Sequence, residues 1–122
     1  QKEIYTMGYE QIQNNMELLK PGTTFKELTL NSKEYSQDEF RHYSVLFHGV
    51  GLCDEFPAIP FSWELNENSF DGVLQPGMVM CVETYVGRYS GGPGVKLEEQ
   101  VLITESGYEL LTSYPFEKDL LS

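Results

Sequence analysis

Residues 78–86 form a nearly continuous apolar run in which Glu83 is the only charged side chain. Such a run is typical of a strand that is buried on both faces of a sheet. A carboxylate buried there costs on the order of several kcal/mol unless it is paired, protonated or bound to a metal. An ion pair has few candidate partners, because the chain contains only eight Lys and Arg residues. Glu83 therefore indicates either a metal site or a buried ion pair.

The first 20 residues are predicted to form an amphipathic helix. Apolar side chains recur there at steps of four and three, which places them on one helical face: Tyr5, Tyr9, Ile12, Met16 and Leu19. Lys20 is expected in the last turn of this helix, and Pro21-Gly22 is expected to end it.

A second helix is expected to begin after Thr23 or Thr24. Glu27 lies three residues after Thr24, which is the spacing of a capping box. In that motif each of the two side chains accepts a hydrogen bond from the backbone N–H of the other residue. The helix is predicted to run through Leu30 and to continue in broken form towards Phe40.

The remainder of the chain is predicted to form a sheet. Residues 43–47 are β-rich and are predicted to form a strand that enters a turn at His48-Gly49, and residues 51–76 are mostly loop. Residues 95–105 form another strand, and Ser106-Gly107 fits a tight hairpin turn into residues 108–112. The predicted fold class is therefore α+β, with two helices followed by a mostly antiparallel sheet.

Composition excludes several classes of partner. The net charge of -11 disfavours nucleic acid, because phosphate binding needs a cluster of Lys and Arg. The sequence has no apolar run of about 18 residues, so we expect no membrane span. Cys53 and Cys81 are too few for a disulfide scaffold, which favours a reduced, cytoplasmic protein.

His48 and Glu98 can join Glu83 in a metal site. Imidazole nitrogen and carboxylate oxygen suit Mn, Fe, Co or Zn. His48 precedes a Gly-Val-Gly turn, and the alternative for it is a plain turn histidine whose ring bonds a backbone carbonyl. Glu98 and Glu99 are neighbours on a predicted strand, so they face opposite sides, one inward and the other towards solvent.

Several segments, in this order, resemble the C-terminal half of the pita-bread metallopeptidase family. That family includes methionine aminopeptidases, aminopeptidase P, Xaa-Pro dipeptidases and creatinases. The opening helix with Lys20-Pro21-Gly22 fits the resemblance as well. The matching segments are His48-Gly49-Val50-Gly51-Leu52, Glu55 with Pro57, residues 74–83 leading to Glu83, and residues 94–107.

The resemblance implies two divalent metals held by two Asp, one His and two Glu. The His matches His48, and the two Glu match Glu83 and Glu98. The two Asp of the family lie upstream of the first helix, whereas this chain has no Asp before Asp38. The resemblance therefore implies that residues 1–122 are the distal part of one catalytic domain, which binds metal weakly or not at all by itself. Exposed sheet edges are expected, and a homodimer is left open by analogy with relatives.

Two departures from the peptidase pattern bear on the substrate. The peptidases carry a second His after the Gly-rich turn, and Asp54 occupies that place in a loop one residue shorter. Thr84 follows Glu83 where the family usually has Pro. Residues 51–55 look more like the dimethylsulfoniopropionate lyase branch, which cleaves a zwitterionic sulfonium acid into dimethyl sulfide and acrylate.

The lyase resemblance implies particular roles for Asp54 and Tyr43. Asp54 matches the catalytic base, and Tyr43 matches a substrate-binding tyrosine near the sulfonium, which an aromatic ring attracts. The metal would hold the substrate carboxylate. The alternatives are a turn cap for Asp54 and strand packing for Tyr43. An Xaa-Pro dipeptidase acting on dipeptides and a non-catalytic binding or dimerisation module are the alternative functions.

Overall fold

In a computed structural model that describes residues 1–52 and 55–121, two helices are followed by a six-stranded antiparallel sheet. The helices are α1 (Lys2–Met16) and α2 (Phe25–Asn31). The strands are β1 (Phe40–Arg41), β2 (Phe47–Gly49), β3 (Ala58–Ile59), β4 (Val79–Arg88), β5 (Gly94–Thr104) and β6 (Gly107–Leu110). Within the described residues, neither α-helix is long and apolar enough to cross a membrane. The observed order confirms the predicted α+β class.

Strand β4 is the centre of the sheet. The strand order is β3-β2-β4-β5-β6, and β1 also pairs with β4. β4 and β5 pair antiparallel, and their register places Glu83 directly opposite Glu98. β2 lies along the other edge of β4, where His48 is opposite Cys81. The register therefore gathers the predicted metal-binding residues around the middle of β4.

Helix α1 packs against one face of β4 and β5. The Thr84 hydroxyl donates a hydrogen bond to the Gln11 side chain of α1. At Gly8 a Cβ would lie 3.2 Å from Val95 and 3.4 Å from Leu97, so the helix approaches the sheet closely there. Because side chains alternate along a strand, the residues next to Thr84 lie on the opposite face. That opposite face carries Cys81, Glu83, Lys96 and Glu98, and we call it the site face.

The main core lies between the helices and the sheet. It includes buried side chains from α1, α2, the loops and the central strands. Burying each large aliphatic or aromatic side chain contributes roughly 1.5–3 kcal/mol. The largest fully buried members are Ile12, Leu19, Leu28, Leu46, Phe47, Ile59, Leu74, Met80 and Ile103.

Helix α1 ends at Met16, so the predicted end near residue 20 is wrong. The backbone N–H groups of Leu18 and Leu19 bond the carbonyls of Asn15 and Met16, three residues back. This tighter pattern ends the α-helix while keeping Leu19 buried in the core.

Helix α2 begins with the predicted capping box. The Glu27 N–H donates to Thr24 Oγ1 at 3.0 Å, and the Thr24 N–H donates to Glu27 Oε2 at 2.8 Å. The predicted continuation towards Phe40 is wrong, because Ser32 adopts an extended conformation with ψ of 144°. Helix α2 is therefore a short element that depends on its cap and on packing.

The predicted strand over residues 43–47 is also wrong. Ser44 has a φ of +63°, a left-handed conformation that interrupts an extended chain. Strand β2 consequently begins only at Phe47, and it includes His48 and Gly49, so the turn predicted at these two residues is wrong as well. Within the described residues 51–52 and 55–76 the predicted loop is confirmed in the main, with β3 and a short 3-10 turn at Ser62–Glu64 inside it. The final hairpin is confirmed with a shift of one residue, because Thr104 pairs with Gly107.

We expect Thr24→Ala to lower the free energy of unfolding by about 1 kcal/mol, because it removes the oxygen that caps α2. Thr24→Ser keeps that oxygen and serves as the matched control. Urea unfolding followed by circular dichroism measures both variants. Equal stabilities for the Ala and Ser variants would contradict a contribution from the capping box.

Tyr35 links the segment after α2 to α1 and titrates abnormally. Its hydroxyl donates to the Met7 carbonyl at 2.7 Å. Burial, with a smaller effect of the Glu10 carboxylate, raises the pKa of Tyr35 to about 12. The folded protein therefore holds this proton more tightly than the unfolded chain does. The stabilisation is complete below about pH 10 and is lost as the pH rises towards the folded-state pKa.

We expect the wild-type chain to lose stability more steeply than Tyr35→Phe as the pH rises above about 10. Urea unfolding at a series of alkaline pH values measures the difference between the two proteins. Tyr89→Phe, which alters an exposed ring, is the control and should follow the wild type. A difference between wild type and Tyr35→Phe that stays constant with pH would contradict the linkage.

Candidate metal centre

His48 is held by the short strand β2 with one ring nitrogen turned towards the site face. Its Nδ1 lies 3.0 Å from the Gly49 carbonyl oxygen. A carbonyl can only accept, so Nδ1 carries the hydrogen and Nε2 is left to face the carboxylates. The predicted hydrogen bond between the His48 ring and a backbone carbonyl is therefore present at Nδ1. It does not involve Nε2, so it is compatible with metal binding by Nε2.

Gly49 allows β2 to approach the next loop closely. A Cβ at this position would lie 2.3 Å from the Phe56 carbonyl oxygen, a contact that no side chain tolerates. The Gly49 N–H donates to the Pro57 carbonyl at 2.8 Å. The glycine after His48 is thus explained by backbone packing that fixes the position of the histidine.

The structure brings His48, Glu83 and Glu98 together. His48 Nε2 lies 3.9 Å from Glu83 Oε2 and 3.5 Å from Glu98 Oε1. His48 and Glu83 are buried, whereas the side chain of Glu98 is 41% exposed. These three side chains come from three adjacent strands, so their proximity depends on the register of the sheet.

Lys96 neutralises the buried carboxylate. Its Nζ lies 2.6 Å from Glu83 Oε1 and 3.7 Å from Glu98 Oε2. The hydrogen bond to Glu83 is the largest cause of the raised pKa of Lys96. Ser44 donates to the other Glu83 oxygen at 3.0 Å. Glu83 therefore forms the buried ion pair that was one of its two predicted roles, and His48 also lies nearby.

The donor set fits a divalent transition metal. Nitrogen and oxygen ligands at about 2.0–2.2 Å from one ion lie roughly 3–3.5 Å from each other. The distances from His48 Nε2 to the two carboxylates are close to that range. In the neutral ring with the hydrogen on Nδ1, the Nε2 lone pair would face negative oxygens, and a cation placed between them would remove this repulsion. His48, Glu83 and Glu98 are the residues that would hold the ion.

Cys81 lies beside these residues, although it was not predicted as a site residue. Potential ligand atoms of His48, Cys81 and Glu98 all lie within 4.8 Å of one another. Gln100 Nε2 donates to Cys81 Sγ at 3.7 Å. Burial is the main cause that raises the pKa of the Cys81 thiol to about 12. The signal for Cys81 was its spacing, since alternate residues of a strand share a face with Glu83.

Tyr43 lies at the rim of the site face. Its ring is 62% exposed and lies outside any strand, so the strand-packing alternative is wrong. The ring centroids of Tyr43 and Tyr85 are 6.2 Å apart. Lys96 Nζ lies 5.5 Å from the Tyr43 centroid, so one ammonium contacts both an aromatic ring and the carboxylates. Asp54, the predicted base, lies outside the described residues.

Comparison with known proteins identifies relatives along nearly the whole chain. Residues 1–105 match the metallopeptidase family M24. The chain is 48% identical over 121 residues to dimethylsulfoniopropionate lyase DddP of Roseovarius nubinhibens, covering 97% of this chain and 27% of that protein. It is 38% identical over 128 residues to the Xaa-Pro dipeptidase of Pyrococcus furiosus, covering 99% of this chain and 33% of that protein.

Solved structures share the fold. The prolidase from Pyrococcus furiosus has a TM-score of 0.73 and 38% identity, covering 94% of this chain and 33% of that chain. The X-Pro aminopeptidase from Thermotoga maritima has a TM-score of 0.72 and 30% identity, covering 95% of this chain and 32% of that chain. These likenesses confirm the predicted pita-bread fold. The present chain spans about a quarter to a third of the length of these relatives.

We expect a coupling of about 1 kcal/mol between Lys96 and Glu83 in metal-free buffer, since one partner is buried and the other is partly exposed. A double-mutant cycle of Lys96→Met and Glu83→Gln in urea measures it. The exposed pair Lys33 and Glu10, 3.1 Å apart, is the control and should couple by less than about 0.5 kcal/mol. Equal coupling in the two pairs would contradict a special role for Lys96.

Proposed function

Because the chain belongs to the metallopeptidase family M24, we propose that it is the distal part of one metal-dependent catalytic domain. In this proposal His48, Glu83 and Glu98 bind a divalent ion of Fe, Mn, Co or Zn, and an upstream half with two Asp completes the ligand set. The observation that carries the proposal is the convergence of His48 Nε2 with two carboxylates at 3.5 and 3.9 Å. Metal binding by the chain alone is then weak, because part of the ligand set is missing.

The reaction that we propose for the whole protein is elimination from dimethylsulfoniopropionate. The support is 48% identity to a dimethylsulfoniopropionate lyase, against 38% to an Xaa-Pro dipeptidase. Asp54 and Thr84, which depart from the peptidase pattern, also favour the lyase over the dipeptidase. The substrate is therefore a small zwitterion with a carboxylate at one end and a sulfonium at the other.

Each proposed residue handles one part of this substrate. When bound, the metal supplies a positive anchor for the substrate carboxylate. Asp54 removes a proton from the carbon next to that carboxylate. The electron pair forms the new carbon–carbon double bond, and the carbon–sulfur bond breaks with dimethyl sulfide as the neutral leaving group. The role of Asp54 rests on the sequence resemblance.

A cation already occupies the place proposed for the sulfonium. The Lys96 ammonium lies 5.5 Å from the Tyr43 ring centroid while it touches Glu83. A sulfonium has no N–H to donate, so an aromatic face is a suitable partner for its charge. The side chain of Lys96 is 41% exposed, and in this proposal its ammonium moves towards solvent when the substrate binds. Tyr43 is thereby proposed as the substrate-binding residue.

An Xaa-Pro dipeptidase is the second candidate. It is supported by 38% identity to the Pyrococcus furiosus dipeptidase and by the TM-score of 0.73 to a prolidase structure. In this alternative the same ligands bind the metal, and the substrate is a dipeptide ending in proline. The two candidates share the site and differ in the bond that is broken.

We expect the full-length, metal-loaded protein to release dimethyl sulfide and acrylate from dimethylsulfoniopropionate. Gas chromatography measures the dimethyl sulfide, and liquid chromatography measures the acrylate. Asp54→Ala should lower the rate by about 100-fold or more while the metal content stays the same, because a general base contributes about that much. Glu67→Gln, in an exposed loop, is the control and should keep full activity. Full activity in Asp54→Ala would refute the base role.

A parallel assay with a proline dipeptide separates the two candidates. Hydrolysis of the dipeptide without release of dimethyl sulfide would establish the dipeptidase alternative and refute the lyase. No turnover of either substrate by a protein that binds no metal would favour a binding or dimerisation module.

A further inference from the structure

Cys81 occupies a position between the histidine and the exposed carboxylate of the site face. His48 is directly opposite Cys81 in the pairing of β2 with β4, and Gln100 is opposite it in the pairing of β4 with β5. Cys81 is buried, with only 4% of its surface exposed. Its sulfur is within 4.8 Å of ligand atoms from both His48 and Glu98. One imidazole, one thiol and one carboxylate therefore converge on a single point.

The nitrogen of His48 is free to bind a cation at that point. His48 is 94% buried, since 6% of its surface is exposed, and Nε2 is turned towards this cluster. The two nearest carboxylate oxygens lie 3.5 and 3.9 Å away, and both distances exceed an ordinary hydrogen bond. In the neutral ring the lone pair of Nε2 is therefore available to a cation beside Cys81.

The chemistry of this donor set differs from that of the hard-metal set. Thiolate sulfur is a soft ligand that favours Zn²⁺ and similar thiophilic ions, whereas carboxylates favour harder ions. Zinc accepts a mixture of sulfur at about 2.3 Å and nitrogen or oxygen at about 2.0–2.2 Å. Glu98 is partly exposed, so its side chain can rotate the short distance needed to complete three ligands. Solvent can supply the fourth ligand.

Glu83 does not need to take part in binding a thiophilic ion. One of its oxygens is 2.6 Å from Lys96 Nζ, and the other accepts a hydrogen bond from Ser44 at 3.0 Å. A hard ion that uses Glu83 competes with Lys96 for this carboxylate. A thiophilic ion bound by His48, Cys81 and Glu98 leaves the pair of Glu83 and Lys96 intact.

We propose that His48, Cys81 and Glu98 form a separate binding mode for a thiophilic divalent cation such as Cd²⁺, and Zn²⁺ accepts either donor set. On binding, the thiol loses its proton to solvent and the thiolate sulfur bonds the metal. The N–H of Gln100 that already points at Sγ stabilises the negative sulfur. This mode overlaps the hard-metal ligands at His48 and Glu98, so a thiophilic ion excludes the hard ion from the same face.

The test is a Cd²⁺ titration of the 122-residue chain carrying Cys53→Ser, which leaves Cys81 as the only thiol. We expect a thiolate-to-cadmium charge-transfer band in the near ultraviolet that saturates at one equivalent. Adding Cys81→Ser should abolish the band and weaken Cd²⁺ binding by roughly 100-fold, since even indirect partners of a metal contribute 10- to 100-fold. Glu83→Gln in the same background should keep the band, and its affinity for Cd²⁺ should fall less than that of Cys81→Ser, because Glu83 acts on the cation only through its nearby charge.

Circular dichroism of each variant verifies that it is folded before the titration. Absence of the band in the Cys53→Ser protein, or its persistence after Cys81→Ser, would overturn the proposal. Loss of the band in Glu83→Gln to the same degree as in Cys81→Ser would overturn the separate binding mode. None of these readouts depends on turnover, so failure of the lyase activity in the full-length protein leaves the result unaffected.

Discussion

The buried carboxylate of Glu83 is the constraint around which the site face is arranged. A negative charge in the middle of a central strand is stable only beside compensating positive charge or donors. Lys96 supplies the charge at 2.6 Å, and Ser44 supplies a hydrogen bond at 3.0 Å. The left-handed conformation of Ser44 is part of this arrangement, because it ends the extended segment where its hydroxyl reaches Glu83. The backbone conformation of Ser44 therefore contributes to the stabilisation of the Glu83 charge.

Side chains alternate along β4 and β5, so one face of the sheet contributes to the core and the other is the site face. Residues on one face, such as Val82 and Val101, are fully buried in the core with α1 and α2. Residues on the other face, such as Glu83 and Glu98, form part of the candidate metal centre. A shift of one residue in the pairing of β4 with β5 would exchange these sets. Helix α1 approaches the core face closely at Gly8, where a Cβ would lie 3.2 Å from Val95 and 3.4 Å from Leu97.

Features that depend on local spacing could be predicted from the sequence, and features that depend on tertiary contacts could not. The capping box of Thr24 and Glu27 follows from a three-residue spacing and is present. The strand predicted over residues 43–47 is absent because tertiary contacts place Ser44 in a conformation that β-propensity does not anticipate. The predicted metal ligands are a further example. The family motifs predicted that His48, Glu83 and Glu98 come together, whereas the spacing of these residues in the sequence does not specify which strands pair. Lys96 and Cys81 were missed, although each lies two residues from a predicted ligand and so shares its face.

Glu98 and Glu99 show that the more buried of two neighbouring carboxylates is not the one that lies near His48. The two neighbours face opposite sides as expected, but the buried one is Glu99, which accepts a hydrogen bond from Thr112. Burial raises the pKa of Glu99, so its charge is disfavoured, and nothing near it resembles a ligand set among the described residues. Glu98 is partly exposed and lies 3.5 Å from His48 Nε2. Burial therefore does not decide which of the two carboxylates lies near His48, since the less buried Glu98 is the one that faces it.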